Sequence, residues 1–203
     1  MVPVPGEFQN GSRSGRWEAQ TVKRLTQALG RILWNASGGQ SEVYAVLDGA
    51  RDNRIYPEVH ALAGARCLYE GKLEQPLAET APYLVLLDAG DAFTATILSE
   101  GWGRSWGIFL SSSAPPEEVR RHLRQFLKVE DDREQPLYFR YYDPRVFRVY
   151  LPTCDAKELK LFFGPVQRFW CETGDGRSIL EYERKGPALK QRALALPAAE
   201  GRC

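Results

Sequence analysis

The sequence is poor in the residues that most often build catalytic and metal centres. It has two histidines, His60 and His122, and four cysteines, Cys67, Cys154, Cys171 and Cys203, none of them spaced as a CxxC pair. A zinc site needs about four thiolate or imidazole ligands at close spacing. The pattern therefore implies no metal, no cofactor and ordinary thiols in a reducing compartment. Charge of one sign is also missing: 27 Lys and Arg stand against 26 Asp and Glu, a net of +1. A general phosphate-backbone binder needs a basic surplus, so no nucleic-acid partner is expected. No run reaches the ~20 apolar residues of a membrane span. The opening residues MVPVPGEFQNGSRSGR hold no apolar core of signal-peptide length. A cytoplasmic protein with no membrane partner is the expectation.

What is present is a core-forming composition, 43% hydrophobic, with no internal repeat. Residues 1–16 are polar and glycine-rich and read as a flexible tail. Val22, Leu25, Leu29, Ile32 and Leu33 recur at helical spacing. From Val43 short strands alternate with helices: 44–47 and 67–69 as strands, 53–63 and 74–80 as helical, then 82–87, a helix at 92–100, and 106–110. Pro82-Tyr83-Leu84-Val85-Leu86-Leu87 is continuously apolar, as in a strand covered on both faces. Ser111-Ser112-Ser113 offers N-cap oxygens ahead of Pro115 and Pro116, and Val119, Leu123, Phe126 and Leu127 form the stripe of the helix that follows. After the charged turn 130–134, Leu137 to Tyr142 reads as an aromatic strand. Asp143-Pro144 and Asp155 read as helix caps. Val166–Glu172 and Ser178–Glu183 flank Thr173-Gly174-Asp175-Gly176 as a hairpin.

This alternation predicts an α/β fold: a mixed, mostly parallel sheet flanked by helices, with a C-terminal helical segment and a closing β-hairpin. The domain is expected over 17–184, with two possible lobes at about 17–128 and 129–184. Residues 185–203 are expected to be a tail.

Three constellations invite a chemical reading. Asp48-Gly49-Ala50-Arg51-Asp52 follows a strand, where α/β sheets bind ligands, and could hold a phosphorylated ligand. It also suits a turn, and no activating base accompanies it. Gly101-Trp102-Gly103-Arg104-Ser105-Trp106-Gly107 meets the pattern G-x-S-x-G, but leaves a helix for a strand, the reverse of a nucleophile elbow. It lacks the lysine and spacing of a phosphate loop; its glycines suit tight turns beside packed tryptophans. In the third, alternation puts Tyr138, Arg140 and Tyr142 on one strand face, beside Arg145. Tyrosine and arginine are favoured interface anchors.

The strings YAVLDGARD at 44–52, CLYEG at 67–71, APYLVLLD at 81–88 and GWGRSWGIFL at 101–110 resemble a known family. So do RRHLRQFL at 120–127, LYFRYYDPRV at 137–146 and FFGPVQRFWCE at 162–172. The family is the domain of unknown function 4123, and the likeness runs from about Val43 to Glu172. The resemblance implies a type VI secretion effector adaptor, or chaperone. Such a protein is no enzyme: it binds a cognate secreted toxin and helps place it on the VgrG spike protein. The residues characteristic of the family stand here as Asp48, Arg51, Asp52, Tyr56, Trp102, Gly103, Trp106, Arg140, Tyr142, Asp143, Pro144 and Arg145. Asp48, Arg51, Asp52 and Asp143 are read as a structural charge network at the strand ends. Tyr138, Arg140, Tyr142, Arg145 and Trp106 are the expected partner contacts. The alternatives are a small enzyme acting on a phosphorylated ligand at Asp48, Arg51 and Asp52, or an immunity-type toxin-binding protein.

Overall fold

A computed structural model describes residues 12–37, 39–130 and 135–197. Most of the expected N-terminal tail, and all of the expected charged turn at 130–134 but Glu130, lie outside these residues. A long helix, α1 (Ser12–Ser37), leads into β1 (Glu42–Asp48). There follow α2 (Ile55–His60), β2 (Arg66–Cys67), α3 (Gln75–Thr80), β3 (Pro82–Leu87), α4 (Ala92–Glu100) and β4 (Gly107–Ser112). Next come α5 (Pro116–Arg124), β5 (Lys128–Glu130), β6 (Pro136–Tyr138), α6 (Pro144–Tyr150), a 3-10 turn (Leu151–Thr153) and α7 (Ala156–Phe163). Three more strands follow: β7 (Val166–Glu172), β8 (Ser178–Lys185) and β9 (Ala188–Ala195).

The caps are local chemistry. Asp143 accepts the Arg145 N–H at 2.9 Å, with Pro144 at the first helical position of α6. Asp155 and Glu158 form a reciprocal capping box on α7. The serines before α5 do not cap it. Ser112 stays in β4, donates to the Pro165 carbonyl at 2.8 Å and accepts from the Ala114 N–H at 3.1 Å.

Seven strands form one sheet in the order β2-β3-β1-β4-β7-β8-β9, and β5 and β6 form a separate two-stranded ribbon. Every pairing is antiparallel. The expected mostly parallel sheet is therefore wrong. A continuous apolar run reports that both faces of a strand are covered; it carries no information about the direction of the neighbours. The strand–helix alternation was real, but β1 lies between the two strands that α4 connects. β3 and β4 run the same way because both are antiparallel to β1.

The sheet has a core on each face. On one, Tyr44, Val46, Ile108, Leu110, Phe169 and Tyr182 pack under α5, α6 and α7 through Leu123, Phe147 and Phe162. On the other, Ala45, Leu47, Val85, Phe109 and Trp170 pack under α1, α2 and α4 through Leu29, Leu33, Ile55 and Ile97. The sheet crosses the expected lobe boundary near 128, since β4 pairs with β7. The closing hairpin is present as β7 and β8, with helical α6 and α7 ahead of it. The alanine- and leucine-rich stretch expected as a tail is edge strand β9, which continues the sheet from β8 through residue 195. Its register sets Arg192 opposite Glu181, and their side chains form an ion pair.

Candidate functional site

The end of β1 carries Asp48, which has no exposed surface. One carboxylate oxygen accepts the Ala50 N–H at 3.2 Å, and the other receives the Arg140 guanidinium. Burial pushes the Asp48 carboxyl up, while the hydrogen bond and charge of Arg140 and the Ala50 N–H pull it down. Nearby, Asp143 holds Arg145 through contacts of 3.0 and 2.6 Å from Nε and Nη2. Burial raises the Asp143 carboxyl, but the hydrogen bonds and charge of Arg145 outweigh it and hold the group below the usual range. Asp48 and Asp143 repel one another, and Arg140 lies in the field of both.

The other two residues of the expected network lie elsewhere. Arg51 donates through Nε to the Arg104 carbonyl at 2.9 Å. Asp52 accepts from Arg54 Nη2 at 2.7 Å and from the Trp106 indole at 3.2 Å. The Arg54 guanidinium sits over the Trp106 ring, 5.0 Å from its centroid. Asp48, Arg51 and Asp52 thus answer to three different sets of partners rather than converging on one ligand position.

The Gly101–Gly107 segment is organised by a residue that sequence reasoning missed. Glu172, at the end of β7, is 6% exposed. Its carboxylate accepts the Gly103 N–H at 2.6 Å, the Ser105 N–H at 3.0 Å and the Ser105 hydroxyl at 3.1 Å. Burial raises its carboxyl, opposed by these donors. Gly103 and Ser105 take φ of 76° and 57°, a strained value for serine that the Glu172 contacts hold. Ser105 is therefore a carboxylate-bound loop residue. The signal in the sequence was faint: one acid closing the apolar run Phe169-Trp170-Cys171. Arg54 was missed too, although its position two residues after Asp52 suits a local ion pair.

The expected partner contacts divide by exposure. Tyr138 is 63% exposed, and the side chains of Arg140 and Arg145 are 43% and 51% exposed. Tyr142 and Trp106 are buried at 2% and 3%, so neither offers a surface to a partner. The expected strand to Tyr142 stops at Tyr138. The chain then turns, with the Asp143 N–H on the Arg140 carbonyl at 3.0 Å, and Tyr141 and Tyr142 both enter the core. Alternation cannot hold across that turn. Tyr142 instead packs edge-on against Tyr141 in the core, 5.6 Å between ring centroids, while the ring left on the surface, Tyr138, packs against Tyr69 at 5.5 Å.

No group of three or more His, Cys, Asp or Glu side chains is placed to hold a metal ion among the described residues. No described helix is long and apolar enough to cross a membrane. The family described as "Domain of unknown function (DUF4123)" matches residues 43–161, more than half of the chain and from β1 into α7. The FFGPVQRFWCE string at 162–172 lies past the matched residues. Comparisons with curated proteins and with solved structures give no match.

Proposed function

The chain belongs to the DUF4123 family, and on that premise we propose that it is a binding protein and not an enzyme. It holds one toxic effector of a type VI secretion system in the cytoplasm and assists its loading onto the VgrG spike. The observation that carries this reading is the family match itself, which covers the strands and helices bearing the charge network. The site supports it in two ways. Its buried carboxylates are engaged by guanidinium and backbone N–H groups of the fold itself. Its exposed residues from the end of β6 into α6 include a tyrosine and two arginines, the types that anchor interfaces.

The test is co-expression with the toxin encoded beside a spike gene. A soluble complex is expected, and deleting the adaptor gene should abolish delivery of that one toxin while the machine still fires. Loss of every effector would make the protein a machine component. Neutralisation of the toxin without any effect on its delivery would make it an immunity protein.

A further inference from the structure

A groove with an apolar lining lies apart from the charge network. The β5–β6 ribbon, α3 and the C-terminal end of α5 frame an open groove of about 530 Å³. Its floor is built from Leu68, Leu73, Leu77 and Leu127. Leu77 is 50% exposed, and Tyr138, on the ribbon, covers one side of the groove. Large apolar groups gathered in one concavity mark a recognition surface more often than scattered exposed residues do.

The rim of the groove is basic. Arg121, Arg124 and Lys128 line it against a single carboxylate, Glu70, which already pairs with Arg124. Arg121 and Lys128 take part in no ion pair among the described residues. Lys128 sits directly opposite Tyr138 in the ribbon register, so one cross-strand pair presents a ring and a cation to the same groove. A ligand that satisfies this surface has apolar side chains for the floor and negative charge for the rim.

We infer that this groove docks an acidic amphipathic segment of a protein partner. Its apolar residues lie on the leucine floor and its carboxylates meet Arg121 and Lys128. The inference rests on the adaptor reading and gives the chemistry of what the adaptor holds. A protein segment fits better than an anionic membrane. Membrane-binding surfaces push apolar side chains outward into the lipid, whereas these line a hollow that a flat bilayer cannot enter. A peptide helix or strand can.

Two labelled peptides test it by fluorescence anisotropy: an amphipathic sequence of leucine and glutamate, and its twin with lysine in place of glutamate. The acidic peptide is expected to bind about tenfold tighter, and less so as salt is raised. Arg121→Glu combined with Lys128→Glu should invert the preference, and Leu77→Gln should weaken the acidic peptide by about tenfold, or 1.4 kcal/mol. All three positions are on the surface or its edge, and a thermal melt checks that the variants stay folded. Equal binding of both peptides overturns the inference, as does a preference that survives charge reversal, or loss of neither in folded Leu77→Gln. Binding to phosphatidylserine vesicles in place of the peptides also overturns it and assigns the groove to membranes. The adaptor reading stands or falls separately. Wild-type protein that holds its toxin but shows no peptide preference sinks the groove alone; peptide preference without toxin binding sinks the adaptor alone.

Discussion

The guanidinium of Arg140 closes on the carboxylate of Asp48, a side chain with no exposed surface, 92 positions earlier in the chain. The pair ties the end of β1 to the turn that feeds α6, and so joins the sheet to the helical layer that packs on it. Because Arg140 is partly solvated, the pair is worth less than a fully buried one. Arg140→Ala should still cost about 1–3 kcal/mol, since it leaves a buried carboxylate without its counter-charge. In a double-mutant cycle with Asp48→Ala, read by urea unfolding, the double variant should cost less than the sum of the singles. Additive losses would mean that the contact contributes nothing.

Glu172 makes stability depend on pH in a defined direction. Its carboxyl is raised in the folded chain, so the folded state holds the proton more tightly than the unfolded one. The stability this gives is complete below the unfolded value of about 4.3 and is lost as pH rises through the folded value. Glu172→Gln lacks that loss. Melts between pH 4 and 7 should show the variant gaining on wild type as pH rises. A constant difference would contradict the buried, titrating carboxyl.

Gly107 lies where β4 meets β1. A Cβ there would sit 2.0 Å from the Val46 carbonyl oxygen, a backbone atom that cannot step aside. Gly107→Ala should cost about 3 kcal/mol. Hydrogen exchange should speed up first in β1 and β4.

At the far edge of the sheet, Glu181 is 2% exposed and takes the Trp170 indole at 3.2 Å as well as Arg192 from β9. Arg192→Ala should loosen β9. Amides of 188–195 should exchange faster, with β1 and β3 unchanged; uniform protection would show that backbone pairing alone holds the edge.

Tyr138 and Tyr142 sit four residues apart with opposite surroundings, 63% and 2% exposed. Tyr138→Ala should leave the melting temperature unchanged and weaken the toxin complex by about tenfold, about 1.4 kcal/mol. Tyr142→Ala should lower stability by about 3–5 kcal/mol through the cavity it leaves. A reversal of these two outcomes would move the interface away from the β5–β6 ribbon.

Local signals in the sequence determined most of the elements. Asp143-Pro144 and Asp155 start helices where they stand because capping involves neighbours two or three residues away. The hairpin at 173–176 follows from its turn residues, and the family resemblance from ordered short strings. What the tertiary structure decided is everything that depends on residues far apart. Strand direction came out antiparallel because β1 lies between β3 and β4, and no periodicity encodes a neighbour's direction. The Ala188–Ala195 stretch became a strand because β8 offered it an open edge and Glu181 a buried partner for Arg192. Asp48 met Arg140 from 92 positions away rather than its near neighbour Arg51, and Tyr142 went inward while Tyr138 stayed out, because a turn at Arg140 broke the alternation that would have put both on one face. The groove, too, is a tertiary object: Leu77, Arg121 and Tyr138 come from three elements whose approach no local pattern announces.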